Sequence, residues 1–190
     1  MFMDALMAII MTIMVLEIKI PELDFPTDYR LRYELHKTIT PFIGFLVSFG
    51  TIAMIWMSHN DLMREVKDIT KQFVLLNLLL ILIIALIPFT TALGWGYSKN
   101  PLAVFIYALN MFLLDAAFGV VYGFSIAKKM ITDTTSQFMN VKKYIGFASL
   151  GLLAMAMVLS FVNPGFSLFL TALIPLAHSL PVVFAYKFRS

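Results

Sequence analysis

The residues of this sequence best suited to ion chemistry lie in its first apolar stretch, residues 3–21. Four of them share the i, i+3, i+4 and i+7 spacing of one helix face: Ile9, Thr12, Ile13 and Leu16. We call these four residues the stripe, because 3.6 residues per turn align them down one side of a helix. An apolar stripe with one hydroxyl could border a passage for hydrated ions, or it could pack against other helices.

Polar residues at both ends set this first stretch apart from the other apolar stretches, which contain few charges. Asp4 precedes the stripe, and Glu17 and Lys19 follow it. A helix that only packs in a core has little use for charges at each end, so this arrangement favours the ion path.

The composition identifies the environment of the chain. Of its 190 residues, 61% are hydrophobic and 13% are charged, and the mean hydropathy is +0.89. Soluble domains carry roughly 25% charged residues, so this composition indicates an integral membrane protein. The sequence contains no cysteine, which excludes a disulfide framework and thiolate metal sites.

The apolar stretches predict the fold class. A helix needs roughly 20 mainly apolar residues to cross a bilayer, and no stretch alternates with the period of a barrel strand. Six stretches meet the length requirement, at about residues 2–20, 37–58, 72–92, 102–127, 144–162 and 166–186. We therefore predict an all-α membrane protein in which residues 1–190 form a single domain of six transmembrane helices.

Several local features refine these spans. The start of the first span carries an acid, no Lys or Arg and no small-residue cleavage site, so we expect it to be retained rather than removed as a signal peptide. Pro41 fits the first turn of the second span. We expect Pro88 to interrupt the third span and Pro175 to bend the sixth, and we read residues 94–97 as a turn.

The loop charges predict the orientation. With six spans, the termini and loops two and four share one side of the membrane, which holds nine of the 14 basic residues: Arg64, Lys67, Lys71, Lys128, Lys129, Lys142, Lys143, Lys187 and Arg189. Lys and Arg are enriched in cytoplasmic loops. We therefore expect both termini to be cytoplasmic.

Ordered motifs in the first half of the chain resemble those of a known family. They are Phe2-Met3-Asp4, Thr12, Leu16-Glu17-Ile18-Lys19-Ile20-Pro21, Trp56-Met57-Ser58-His59 and the run from Leu76-Asn77 to Pro88-Phe89. In these motifs the chain is similar to bacterial members of the endolysosomal potassium channel family, the transmembrane protein 175 family. Two departures concern the first motif: Met3 replaces the family's serine, and the family's preceding arginine has no counterpart here.

The resemblance implies a homotetramer in which the first helix of each subunit lines a central pore. The constriction would consist of apolar rings at Ile9, Ile13 and Leu16, with Thr12 supplying a hydroxyl layer. The implied function is a potassium-permeable cation channel with weak K⁺ over Na⁺ selectivity in the bacterial plasma membrane. Its implied partners are lipid, K⁺ and other monovalent cations, and it would need no cofactor and no metal beyond the transient K⁺.

Asp4, Trp56 and His59 form a second candidate group. By topology all three lie at the same depth, near the cytoplasmic ends of the first and second helices. Asp4 could accept hydrogen bonds from Trp56 or His59 and support the pore helix, as the resemblance implies. Alternatively, Trp56 is an interfacial tryptophan and His59 is solvated.

Asp115 is an acid at mid-membrane, which makes it a functional candidate. It could couple proton movement to the transport of a small solute, or it could pair with Asn110 or Asn77 inside the subunit. Gly119 and Gly123 have the spacing of a close helix contact.

Other classes of function find little support in the sequence. The three histidines share no metal-ligand spacing, and phosphate-loop and hydrolase motifs are absent. We therefore expect neither an enzyme nor a nucleic-acid-binding protein.

Overall fold

The structure is a computed structural model that describes residues 2–18, 27–131 and 137–179, with the backbone alone for 137–143. Within these ranges the chain forms six helical rods. They consist of α1 (Phe2–Ile13) with the 3₁₀ turn Met14–Glu17, α2 (Asp28–Glu65), α3 (Lys71–Ala85) with α4 (Ile87–Gly96), α5 (Pro101–Ala127), α6 (Gln137–Leu159), and α7 (Pro164–Ala172), whose rod continues to residue 179.

Three of these rods are long and apolar enough to cross a membrane: Asp28–Glu65, Lys71–Gly96 and Pro101–Ala127. The rods formed by Tyr144–Leu159 and Pro164–Ser179 are apolar but shorter. Mostly helical architecture with membrane-length helices confirms the predicted class, an all-α integral membrane protein. The six rods follow the order and spacing of the six predicted spans.

The first rod differs from the single α-helix predicted over residues 2–20. Its α-helix ends at Ile13, a 3₁₀ turn follows, and Ile18 is extended. The Thr12 hydroxyl bonds back to the carbonyls of Ala8 and Ile9, and β-branched residues near the end lower helix propensity. Rises of about 1.5 and 2.0 Å per residue still give about 26 Å for residues 2–17, close to the roughly 30 Å of a hydrocarbon core.

The second helix begins earlier than predicted, and it continues past its apolar part to Glu65, as expected from the alternating charges that follow the span. It begins at Asp28, where the Thr27 side chain caps it by accepting from the Arg30 amide. Pro41 consequently lies inside the helix rather than in its first turn, which corrects the predicted start. Hydropathy identifies only the apolar part of a helix. The charged turns that precede this part were therefore not predicted to be helical.

The third rod is interrupted close to Pro88, as predicted. α3 ends at Ala85, and Pro88 lies in the first turn of α4. Residues 94–96, which we expected in a turn, instead form the last turn of α4. Close packing explains the glycine there, because a Cβ on Gly94 would lie 2.5 Å from Cβ of Tyr107.

α5 is the centre of the subunit. It packs against α3, α4, α6 and α7. Its buried Tyr107 hydroxyl lies 3.0 Å from Ser48 Oγ, which lies 2.8 Å from Thr91 Oγ1, so a hydroxyl chain links α5, α2 and α4. α1, by contrast, packs mainly against α2 and α3.

Loops two and four meet at one end of the bundle. Val66 and Ile131 form an isolated antiparallel bridge, and the Lys67 amide donates to the Met130 carbonyl at 3.2 Å. The predicted topology places these two loops on the same side, and the backbone pairing agrees with it.

Candidate functional site

α1 presents two contrasting faces. Four apolar side chains at helical spacing are buried against the subunit: Met3, Met7, Ile10 and Met14, at 8%, 0%, 7% and 2% exposure. Methionine is flexible and polarisable, so it fills the irregular gaps between helices well. This buried methionine face fixes which side of α1 points outward.

The stripe lies on the outward side. Ile9, Ile13 and Leu16 are 54%, 44% and 76% exposed, and Thr12 is exposed as well. The structure thus brings all four predicted residues together on one surface of the subunit, where they meet few of its other side chains. This surface is available to a second copy, to lipid or to water.

Thr12 has a defined hydrogen-bonding state. Its Oγ1 lies 2.8 Å from the Ile9 carbonyl and 3.0 Å from the Ala8 carbonyl, and it donates its single hydrogen to them. The oxygen lone pairs are therefore the part of this hydroxyl left for other partners, and they suit a cation or a water hydrogen.

Asp4 and Trp56 are joined by a hydrogen bond. Trp56 Nε1 donates to Asp4 Oδ1 at 3.0 Å. Asn60 lies beside them: with its amide nitrogen toward Asp4 it donates at 3.0 Å, and its oxygen accepts from Trp56 Nε1 at 3.0 Å. The carboxylate on α1 is thereby attached to two side chains of α2, four residues apart on one helix face. Sequence reasoning missed Asn60, although its spacing from Trp56 was a usable signal.

His59 lies at the same depth but bonds elsewhere. Its Nε2 is 2.8 Å from Asn77 Oδ1 on α3, and the Asn77 amide donates to the Phe73 carbonyl at 2.8 Å. Since Oδ1 of Asn77 must accept, Nε2 of His59 is the donor. Nδ1 is buried without a hydrogen-bond partner in the described residues. His59 therefore ties α2 to α3, next to the α1 attachment.

A cavity of about 540 Å³ opens between α1, α2 and α3 at this level. Its lining includes Asp4, His59, Asn60 and Asn77, together with apolar residues of α3. The polar attachments of α1 thus border a space wide enough for water.

Asp115 is buried inside the subunit, at 6% exposure. Its partners are neither of the two asparagines that we expected. Ser149 on α6 donates to Oδ2, and His178 Nε2 lies 3.2 Å from Oδ1. Asn110 instead accepts from Thr90 at 3.0 Å and donates to the Ile83 carbonyl at 3.3 Å. Its side chain therefore supplies hydrogen bonds to residues on both sides of the break between α3 and α4.

Two further features considered in the sequence are the glycine pair on α5 and a possible metal site. A Cβ built on Gly119 or Gly123 would meet nothing within 4 Å, so their spacing makes no close contact within the subunit. Among residues 2–18, 27–131 and 137–179, no group of three or more His, Asp or Glu side chains could hold a metal ion.

Comparison with known proteins gives a consistent picture. Residues 1–88 match the family described as endosomal/lysosomal potassium channel TMEM175. The fold is similar to the crystal structure of a lysosomal potassium-selective channel TMEM175 homolog from Chamaesiphon minutus, with a TM-score of 0.83 and 24% identity over 94% of this chain and 93% of that one.

Three curated relatives extend the comparison. A potassium channel of Streptomyces collinus is 29% identical over 62% of this chain and 58% of its own length. A potassium channel of Chamaesiphon minutus is 32% identical over 54% of this chain and 50% of its own. The rat endosomal/lysosomal proton channel TMEM175 is 25% identical over 95% of this chain and 36% of its own.

The chain thus matches between 36% and 58% of the length of these relatives. The motifs identified in the sequence fall within or beside the matched segment, residues 1–88, and the fold match extends over nearly all of the six rods. Residues 1–88 therefore resemble the TMEM175 family of endosomal/lysosomal potassium channels in sequence, and nearly the whole chain shares the fold of a solved TMEM175 homolog.

Proposed function

We propose that this chain is the subunit of a cation channel that passes K⁺ with weak preference over Na⁺. Four copies would assemble with their stripes around a central path. The observation that carries the proposal is the arrangement of α1: the stripe is exposed while the opposite methionine face is buried. A helix oriented in this way offers the same surface to a symmetry axis in every copy.

The attachment of α1 supports this role. A helix that lines a path for ions must keep its side chains at a fixed distance from the axis. The hydrogen bond from Trp56 to Asp4 and the neighbouring Asn60 amide hold the start of α1 to α2. A charge-assisted hydrogen bond is about twice as strong as a neutral one, so it limits sliding and rotation of α1.

The chemistry of the stripe explains why selectivity would be weak. Rings of Ile9, Ile13 and Leu16 contain no oxygen ligand that could replace the water around an ion. The ion must pass partly hydrated, or bear the free-energy cost of losing water. K⁺ holds its water less tightly than Na⁺, so a narrow apolar ring favours K⁺, but the absence of a close coordinating cage keeps the preference small.

Thr12 would add a polar layer between the apolar rings. Because its hydrogen is bonded to backbone carbonyls, four such residues would direct oxygen lone pairs toward the path. Water around a passing cation could then donate to them, which lowers the cost of crossing this level.

The relatives support an ion-conducting role, since those described above are named potassium channels or proton channels. The loop charges support cytoplasmic termini in a plasma membrane. In this proposal the protein acts on permeant ions, is surrounded by lipid, and works without an enzymatic step, a cofactor or a nucleic acid.

Recording in planar bilayers tests the proposal. Ile9→Asn places an amide in an apolar ring, and Leu16→Ala widens another, so each should change conductance or the K⁺/Na⁺ permeability ratio. Leu82→Ala is the matched control, because Leu82 is 59% exposed on α3, away from the stripe. Unchanged currents in both stripe variants would remove the stripe from the ion path. Counting subunits in lipid nanodiscs tests the tetramer.

A second candidate is a proton-coupled transporter of a small solute that uses Asp115. The buried position of Asp115 beside His178 favours it. Asp115→Asn separates the two: loss of proton-driven uptake with intact folding favours the transporter, whereas unaltered cation flux favours the channel.

A further inference from the structure

The cavity between α1, α2 and α3 is not lined by the stripe, yet it has the size and lining of a binding site. Its volume of about 540 Å³ falls within the roughly 300–1,000 Å³ of small-molecule pockets. Four apolar side chains of α3 line it: Phe73, Val74, Leu78 and Ile81. Polar side chains line it from α2. We call this space the α3 cavity.

The α3 cavity opens toward the outside of the subunit at a depth where lipid surrounds the helices. Val74 and Leu78, which line it, are 45% and 48% exposed. α3 and α4 form a rod of membrane length that begins at Lys71, so Lys71 lies near the level of the lipid headgroups. The lining from Phe73 to Ile81 extends about 12 Å along the helix axis from there. The cavity therefore borders the acyl chains of the membrane.

Two basic residues lie at the outer end of the α3 cavity, where α2 ends and α3 begins. Arg64 lines the cavity from the last turn of α2 and forms no ion pair with the described side chains. Lys71 shares one face of α3 with Val74 and Leu78 by the i, i+3 and i+7 spacing. The exposed acids at this end do not line the cavity; they are Asp61, Glu65 and Asp68. Arg64 and Lys71 thus offer positive charge to an anion at headgroup level.

One acid, Asp4, is among the described residues that line the α3 cavity. It accepts a hydrogen bond from Trp56 Nε1 at 3.0 Å and, with the Asn60 amide nitrogen turned toward it, another from Asn60 at 3.0 Å. Asn60 lies about 6 Å deeper along α2 than Arg64. Hydrogen bonds that disperse its charge and a position further inside therefore separate Asp4 from an anion bound at Arg64.

The two asparagines that line the α3 cavity retain hydrogen-bonding capacity. The Asn77 amide donates one hydrogen to the Phe73 carbonyl, and the Asn60 amide donates one to Asp4. A primary amide has two hydrogens, so each side chain keeps one for a further acceptor. Ester carbonyls, which lie between the headgroup and the acyl chains of a phospholipid, are acceptors of this kind.

We propose that the α3 cavity binds one anionic phospholipid. Its phosphate lies at Arg64 and Lys71, its esters lie at the level of the two asparagines, and an acyl chain follows the apolar wall of α3. Basic pockets between membrane helices bind anionic headgroups by this charge complementarity. Phe2 and Met3 of α1 also line the cavity, so the lipid reinforces the attachment of α1 to α2 and α3. The proposal requires a chain embedded in a bilayer and does not depend on ion conduction.

Thermal unfolding of the purified full chain in detergent tests the site. Phosphatidylglycerol added in mixed micelles should raise the melting temperature by several degrees, because a ligand that binds the folded state alone stabilises it. Phosphatidylcholine has the same esters and chains but no net charge, so it should raise the melting temperature less. Inorganic phosphate should leave it unchanged. Native mass spectrometry should retain one phosphatidylglycerol molecule per subunit.

Two variants with matched controls locate the lipid. Arg64→Gln should weaken phosphatidylglycerol binding roughly tenfold, the loss expected for one hydrogen bond to a charged group. Its control is Arg30→Gln, in the first turns of the same helix and about 51 Å away along the axis. Val74→Trp fills the cavity and should abolish the shift in melting temperature. Its control is Leu75→Trp, because Leu75 is 65% exposed and does not line the cavity.

Three results would overturn the proposal: no shift with either lipid, equal shifts with both, or wild-type phosphatidylglycerol binding in Arg64→Gln and Val74→Trp. The first result is also the one expected if a second copy covers the cavity. Both substitutions are at exposed positions, so the variants should fold; if they aggregate, the comparison of the two lipids on the wild type decides alone. Ion flux plays no part in this readout, so its failure is distinguishable from failure of the channel.

Discussion

α1 and α5 are both apolar helices, but they differ in how much of their surface the other helices of the subunit cover. α5 contacts four other helices, and its polar residues Asn110, Asp115 and Ser125 are buried with partners inside the subunit. α1 is covered along one face only, and its polar residue Thr12 lies on the uncovered face.

The contrast separates two uses of polarity within a membrane. A polar group in α5 stabilises one packing arrangement of the rods, because an unsatisfied polar group costs free energy in an apolar interior. On α1 the Thr12 hydroxyl donates to carbonyls of its own helix, so it does not join α1 to another rod, and the exposed stripe can meet ions, water or further copies. Mutations should therefore act on folding in the α5 region and on conduction in α1.

The largest effect should come from filling the tight contact between α4 and α5. Gly94→Val adds a Cβ that would lie 2.5 Å from Cβ of Tyr107, which is attached to the backbone and cannot move aside cheaply. We expect a loss of about 3 kcal/mol or more in unfolding free energy, seen as aggregation on size-exclusion chromatography in detergent. Gly119→Ala is the control, since open space surrounds Gly119. Equal behaviour of the two variants would contradict the assigned packing.

The next effect compares the two faces of α1 directly. Met7 is fully buried and Ile9 is 54% exposed, two residues apart on the same helix. Met7→Ala should cost about 2–5 kcal/mol through a cavity, whereas Ile9→Ala should change stability by about 0.5 kcal/mol or less but alter conductance. Melting temperature and single-channel current, measured on the same preparations, check both. A stable Met7→Ala with a damaged Ile9→Ala fold would reverse the assignment of the faces.

A smaller effect should follow from loosening the start of α1. Trp56→Phe removes the donor to Asp4 but keeps an aromatic ring. Because Trp56 is 37% exposed, we expect a stability loss of about 1 kcal/mol, together with less stable single-channel openings. In an Asp4→Ala background the same substitution should cost less. Additive losses would mean that the hydrogen bond does not couple the two helices.

The sequence predicted the rods better than it predicted their partners. The span placed at 102–127 became α5 almost unchanged, because Asn100 and Pro101 supply a cap and a first residue that are readable from the chain. α2 exceeded its predicted limits because the charged turns after Asp28 are helical without being apolar. Local signals therefore located the helices but underestimated their length.

For the candidate site, too, the sequence predicted features within one rod but not contacts between rods. Helical spacing identified the exposed surface of the stripe, since its four residues belong to one rod. The partners of Asp115 could not be read from the sequence, because Ser149 and His178 lie 34 and 63 residues away and only rod packing brings them together. His59 lines the same cavity as Asp4, yet its bond to Asn77 depends on the rotation of α3, which no local pattern specifies.

The smallest effect on folding, and the sharpest on function, should come from Thr12. Thr12→Val keeps the shape of the side chain and removes the oxygen whose hydrogen is bonded to the Ala8 and Ile9 carbonyls. Those carbonyls retain their helical bonding and the residue is exposed, so stability should change by about 0.5 kcal/mol or less. Conductance should fall, because the proposed polar layer becomes a fourth apolar ring and the ion's water loses its acceptors. Thr12→Ser preserves the hydroxyl and should conduct nearly as the wild type does, whereas equal currents in the serine and valine variants would exclude the oxygen from permeation and leave only the apolar rings.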